Sequence, residues 1–265
     1  MRKRAALFFD IDGTVLSDHT KQIPESTKCA LKEAKECGHL LFVNTGRTTC
    51  RLPHEILEQP FDGFLCGCGI YLTFHEQVFF EMHLTEEDRK EIVAFVRKCR
   101  IDGVFEGTDD VYFFSGNSRF EQMETMKAQM ALVGLGVTSY VDQVVCPYDK
   151  MFLVMDEQSD KDRFLREISR KMQVIDRGCG TYECVPAGYS KATAIEAVLK
   201  KFGLDKEQAY VFGDSSNDLP MFQYAVHTVA MGEHSPVLEP YTEFITKTVE
   251  EDGIEYALRH YSIVP

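Results

Sequence analysis

The stretch Phe8-Phe9-Asp10-Ile11-Asp12-Gly13-Thr14 decides how the rest of the chain is read, because an apolar run stops there at two carboxylates, a glycine and a hydroxyl. Ala5 to Phe9 is apolar on both faces, the pattern of a strand buried inside a parallel sheet. Asp10 then falls at the carboxyl end of that strand, and open α/β sheets bind ligands in the crevice beyond such ends. Asp12-Gly13 would mark a turn by itself, yet a turn does not call for a second aspartate two residues earlier at the tip of a buried strand. In an extended chain Asp12 points to the same side as Asp10, roughly 6.5 to 7 Å further along.

Working outward, the 265 residues suffice for one large domain or two ordinary ones. A hydrophobic content of 44% with 27% charge describes a folded globular chain, and no apolar run approaches the ~18 residues of a membrane span. Met1-Arg2-Lys3-Arg4 followed by apolar residues has the look of a signal peptide, but the run is too short and ends at Asp10. A net charge of -13 argues against nucleic acid as a partner, so an anionic small substrate needs a local cationic device. Nine cysteines, an odd number scattered through the predicted elements, fit a reducing cytoplasm. Cys66-Gly67-Cys68 lacks a second matched pair for zinc and reads as small buried residues. No heptad declares an interface, which leaves monomer or homodimer open.

The pattern predicts a helix over 24–37 with Gly38 as its stop, then a strand over 40–45 that ends in Asn44-Thr45-Gly46-Arg47. A short helix over 49–57 and a strand over 63–68 complete a βαβαβ run, whose right-handed crossovers bring the three carboxyl ends to one edge. The grammar then changes. A hairpin over 70–83 turns at His75-Glu76-Gln77, Thr85 caps a helix to Cys99, and a second hairpin crosses Asp109-Asp110. A methionine-striped helix from Phe120, a strand over 151–155, a helix over 160–172 and a strand over 182–185 follow. Parallel-sheet grammar resumes at Ser190, the N-cap of a helix to Phe202 that places Lys191 in its first turn. A buried strand over 209–212 ends in Gly213-Asp214-Ser215-Ser216-Asn217-Asp218, a last strand covers 228–231, and a helix over 253–260 closes the chain. The expected fold is therefore α/β, a doubly wound, Rossmann-like parallel sheet in residues 1–83 and 187–265, with an α+β domain inserted at 84–186.

In a doubly wound sheet, Asp10 and Asp12, Thr45 and Gly46, Lys191, and Asp214 with Asn217 and Asp218 converge on one crevice. Four carboxylates there repel one another and require positive charge. Hard oxygen donors favour Mg²⁺, which takes one or two carboxylates, waters and a phosphate oxygen. Lys191 at a helix start suits a phosphate dianion, and glycine at 13 and 46 lets the backbone come close. Phosphoryl transfer asks for little beyond in-line positioning and charge stabilisation. An aspartate can serve as its nucleophile, which makes Asp10 the candidate, and a second carboxylate then protonates the departing alcohol and deprotonates water.

Asp-Ile-Asp-Gly-Thr, Asn-Thr-Gly-Arg, Ser-Lys and Gly-Asp-Ser-Ser-Asn-Asp-Leu-Pro-Met resemble, in order, the four motifs of the haloacid dehalogenase superfamily, in its Cof-type branch with a type IIB cap. The resemblance spans the whole chain. It implies Asp10 as nucleophile and metal ligand, and Asp12 as acid/base with its carbonyl on the metal. It implies Thr45 and Gly46 at the phosphate, Lys191 between nucleophile and phosphate, Asp214 as a metal carboxylate and Asp218 behind it. Asn217 falls where relatives contact phosphate or the metal shell, or is a helix N-cap. Retention of Asp12 points to phosphate esters rather than halides. Many Cof-type chains carry Asn-Gly-Ala where this one has Cys68-Gly69-Ile70, and Ala192 follows Lys191 where glycine is common. The implied function is Mg²⁺-dependent hydrolysis of small phosphorylated metabolites, sugar or polyol phosphates, with no nucleic-acid or membrane partner. A phosphomannomutase-like mutase and a non-catalytic phospho-ligand sensor are the alternatives. Glu106, Asp109, Tyr112, Tyr182 and Glu183 are candidate selectors of the leaving group, each weighed against plain surface solvation, and Arg47 either meets substrate or pairs with an acid.

Overall fold

The computed structural model describes residues 4–265. Met1 to Lys3, which open the basic stretch rejected as a signal peptide, lie outside the described residues. In chain order the elements begin with β1 (Ala6–Phe9), α1 (Glu25–Glu36), β2 (Leu40–Asn44), α2 (His54–Leu57), β3 (Gly63–Cys66), β4 (Tyr71–Phe74) and β5 (Gln77–Glu81). There follow α3 (Glu86–Lys98), β6 (Asp102–Glu106), β7 (Val111–Tyr112), α4 (Glu121–Leu132), β8 (Lys150–Val154), α5 (Lys161–Ile168), β9 (Met172–Gly178) and β10 (Thr181–Pro186). The chain ends with α6 (Lys191–Phe202), β11 (Ala209–Gly213), α7 (Leu219–Tyr224), β12 (His227–Ala230), β13 (Phe244–Ile245) and α8 (Gly253–His260).

Two compact units result, one of residues up to Arg47, Leu52–Phe80 and Tyr189–Pro265, the other of Thr48–Arg51 and Glu81–Gly188. In the first, the sheet order is β13-β12-β11-β1-β2-β3-β4-β5, parallel from β13 to β3 and turning antiparallel at β4. The apolar run of β1 is explained by its two faces. Leu7 and Phe9 pack with Ala30, Leu31 and Ala34 of α1 and Ile254, Ala257 and Leu258 of α8. Ala6 and Phe8 pack on the other side with Ala194, Ile195 and Val198 of α6 and Met221 of α7. Helices on both faces leave no position in β1 for a polar side chain until the strand ends.

The second unit is an antiparallel five-stranded sheet, β7-β6-β8-β10-β9, an α+β layer. Phe105, Met151, Leu153 and Cys184 face Ile92 and Val96 of α3 and Phe164 of α5. Thr85 accepts the Asp88 amide and caps α3.

Four expectations change. The helix foreseen over 160–172 stops at Ile168, and Met172–Gly178 forms an edge strand whose exposed, mixed residues carry no clean alternation. The helix foreseen over 49–57 is a 3₁₀ turn at Thr49–Arg51 and a single turn after Pro53, whose ring holds an extended backbone ahead of α2. β12 is not the last strand, since two residues of β13 extend the sheet. The strand foreseen to Cys68 ends at Cys66, where Gly67, Cys68 and Gly69 all take left-handed backbone.

Candidate active site

β1 lies between β11 and β2, and the chain winds outward through β2 and β3 on one side and through β11, β12 and β13 on the other. The carboxyl end of β1 is thus the point where the strand order reverses, and Asp10 is the first residue beyond it. Its amide donates to the Phe212 carbonyl at 3.0 Å, and its side chain is buried. Lys191 Nζ, fully buried, sits 2.7 Å from Asp10 Oδ1 and 2.6 Å from Asp218 Oδ1. Ser190 caps α6 by accepting the Thr193 amide while Thr193 Oγ1 accepts the Ser190 amide, which fixes the helix start from which Lys191 projects. Asp218 has two duties: Oδ2 accepts the amides of Asp214 and Ser215 at 3.0 and 2.9 Å, and Oδ1 holds the lysine. The Thr14 hydroxyl donates to Asp214 Oδ1 at 2.9 Å. Gly13 has φ +73°, and a Cβ there would stand 2.6 Å from Asp214 Oδ2, so both conformation and space require glycine.

Oxygens of Asp10, Asp214 and Asp218 lie within 4.8 Å of one another. Burial pushes Asp10 up to about 7, against the pull of Lys191 and with help from Asp218 and Asp12. Burial likewise pushes Asp214 up to about 9, reinforced by Asp218 and Asp10. Burial disfavours the Lys191 ammonium, but Asp10 and Asp218 outweigh it and hold the group above its ordinary value. Three carboxylates thus face one ammonium, and the two raised aspartates hold protons that a hard divalent cation would displace. This all-oxygen, over-acidic donor set fits Mg²⁺, with Asp10 and Asp214 as the side chains to hold it and Asp218 close by.

Asp12 is placed differently from the extended-chain expectation. After Asp10 the backbone turns, with the Val15 and Leu16 amides donating to Ile11 O at 3.0 and 2.8 Å, so Asp12 does not continue the strand. Its carboxylate takes both prongs of the Arg47 guanidinium, Nε at 2.7 Å and Nη2 at 2.6 Å, and it is absent from the acidic trio. Thr45 is buried at the end of β2 and its Oγ1 accepts the Arg47 amide at 3.1 Å, while Gly46 is half-buried in the same bend. Asn217 is buried, accepts the Ser215 hydroxyl at 2.9 Å, and is no helix cap: Ser215 precedes the 3₁₀ turn and Asp218 precedes α7. Cys68, at φ +57°, occupies a left-handed position that asparagine tolerates more readily than most residues. Among the candidate selectors, Glu106, Tyr112, Tyr182 and Glu183 are buried rather than solvated, and the two tyrosines belong to the apolar core of the second unit. Two residues at the site were not singled out from sequence. Thr14 closes the first motif and binds Asp214, and Asn44, fully buried, donates from Nδ2 to the Lys191 carbonyl at 3.0 Å. The available signal for Asn44 was an amide closing an otherwise apolar strand.

The sequence pattern that describes haloacid dehalogenase-like hydrolases matches residues 7–258. The chain belongs to this family. It is 30% identical over 97% of its length, and 98% of the relative's, to a Bacillus subtilis protein named "Putative phosphatase YkrA". It is 25% identical over 95% of its length, and 93% of the relative's, to 5-amino-6-(5-phospho-D-ribitylamino)uracil phosphatase YcsE of Bacillus subtilis. Among solved structures it resembles the HAD subclass IIB sugar phosphatase BT4131, with a TM-score of 0.84 and 26% identity over 98% of this chain and all of that one. The chain is thus a hydrolase with the family's doubly wound core and an inserted α+β cap.

Proposed function

We propose that this phosphatase hydrolyses small phosphorylated metabolites, sugar or polyol phosphates, through an aspartyl-phosphate on Asp10. The observation that carries the reading is Lys191 bridging Asp10 and Asp218 beside Asp214 at the sheet's switch point. Asp10 attacks phosphorus, and Lys191 keeps its carboxylate aimed and its charge balanced. Thr45 and the Gly46 amide, with Asn217, bind phosphate oxygens. Asp12 gives a proton to the departing alcohol and then takes one from the water that opens the phosphoaspartate. Bound Mg²⁺, held by Asp10, Asp214 and the Asp12 carbonyl with Asp218 behind them, would supply charge neutralisation for the phosphate. We assign catalysis to residues 1–83 and 187–265 and leaving-group selection to the cap at 84–186. Nine free cysteines suit a reducing cytoplasm, where we place the enzyme.

Asp10→Asn removes the nucleophile with almost no change of shape, so turnover of a phosphate-ester panel should drop at least ~1,000-fold while the melting temperature holds. Beryllium fluoride should trap a phosphoaspartate mimic in the parent and not in the variant. Normal turnover by Asp10→Asn would falsify the assignment.

A further inference from the structure

The Asp12 carboxyl, read above as the proton donor, has both oxygens turned to the Arg47 guanidinium. In that posture each oxygen already accepts a guanidinium N–H. We propose that Arg47 is an exchangeable clamp: its guanidinium holds Asp12 in the resting enzyme and passes to the substrate's phosphate, releasing Asp12 to act on the leaving group. The inference rests on the acid/base reading of Asp12 and adds a residue to it.

Three observations support the exchange. A guanidinium fork matches a phosphate as well as a carboxylate, with two parallel N–H···O bonds in either case, so the clamp can change partners without losing its geometry. The pair is only part-buried, with 28% of the arginine and 40% of the aspartate side chain exposed, so water and an incoming ligand can reach both partners. Lys191, by contrast, is fully buried against two carboxylates and is in no position to move. The Arg47 backbone is fixed: its amide donates to Thr45 Oγ1 at 3.1 Å and its carbonyl accepts the Gly67 amide at 2.8 Å. Any exchange is therefore made by the side chain, from the bend that carries Thr45 and Gly46, the proposed phosphate contacts. Phosphate arrival and Asp12 release then become one event, and the acid is delivered only when there is an ester to cleave.

A double-mutant cycle on binding tests this without reading turnover. Inorganic phosphate is titrated calorimetrically into the Mg²⁺-loaded parent, Asp12→Ala, Arg47→Gln and the double variant. With the clamp released, Asp12→Ala should bind phosphate on the order of fivefold more tightly than the parent. Arg47→Gln should bind more weakly, and Asp12→Ala on that background should bring no tightening. If the tightening is equal in both backgrounds, it is only relief of through-space repulsion and the clamp is overturned. No tightening in the single variant overturns it too. Should Arg47→Gln melt early, Arg47→Lys keeps the charge without the fork and should still abolish most of the coupling. Hydrolysis of an alkyl phosphate by Asp12→Ala decides the acid/base reading separately: a parental rate removes that role whatever the binding cycle shows.

Discussion

Asn44 is a costly residue to keep where it is. Its amide is fully buried, its Nδ2 reaches the Lys191 carbonyl, and its Oδ1 has no hydrogen-bond partner among the described residues. A buried acceptor left unpaired costs about 1–3 kcal/mol, whereas a side chain of similar branching without polar atoms would cost nothing there. What the amide does is pin the first residue of α6, whose ammonium stands between Asp10 and Asp218. Asn44→Leu should therefore keep or slightly raise the melting temperature while kcat falls roughly 10- to 100-fold, as misaiming a positioned group does. Stability and activity falling together would mean that the amide only supports the local packing. The acidic motif residues were readable from the chain because carboxylates at strand ends are conspicuous. Asn44 and Arg47 were harder to read, because the same motif allows a substrate contact, a structural hydrogen bond or an ion pair, and only the fold decides among them.

At the scale of elements, the sequence was clearest where burial is two-sided. β1 is fully apolar, and β2 is apolar as far as Asn44, because helices cover both faces, and Ser190 and Gly203 bound α6 through a reciprocal cap and a left-handed stop. β9 and β13 were missed because edge strands need not alternate, and although Asp12-Gly13 marks a turn, the backbone hydrogen bonds to Ile11 that take Asp12 off the strand line left no sign in the side chains. The cap sheet holds a second feature that sequence did not disclose. Glu106 and Lys150 are cross-strand partners on β6 and β8, and Lys150 Nζ lies 2.9 Å from Glu106 and 3.0 Å from Glu183, all three buried. Burial alone would push the Glu106 carboxyl up, but Arg51 and Lys150 hold it below the ordinary value. Lys150→Met keeps the length of the side chain but removes the buried cation that Glu106 and Glu183 share, leaving Glu106 its Arg51 partner, so it should lower unfolding free energy by about 3–5 kcal/mol in denaturant titrations. A loss below about 1 kcal/mol would show that the row is solvated in solution.

For the whole molecule, the acidic site ties stability, pH and metal together. Unfolded, Asp10 and Asp214 release their protons near 3.8; folded, they hold them to about 7 and about 9. Across that interval the folded protein binds more protons than the unfolded chain, and stability must fall as pH rises through it. Their contribution is fully present below about pH 4 and is lost as pH climbs through the two folded values. A divalent cation replaces those protons, so its stabilising effect has the opposite slope: weak where the carboxyls are protonated, strong where they are ionised. The melting temperature in excess EDTA should therefore decline from pH 5.5 to pH 8.5, and the gain on adding Mg²⁺ should widen over the same range. Other groups titrate there as well, but they contribute equally with and without metal, so the difference between the two curves isolates the site. Asp214→Asn should flatten that difference, because it removes the group with the highest folded value and one of the two carboxylates assigned to the ion. A Mg²⁺ gain that stays constant with pH, or shrinks, would mean that the cation does not compete with these protons and binds elsewhere.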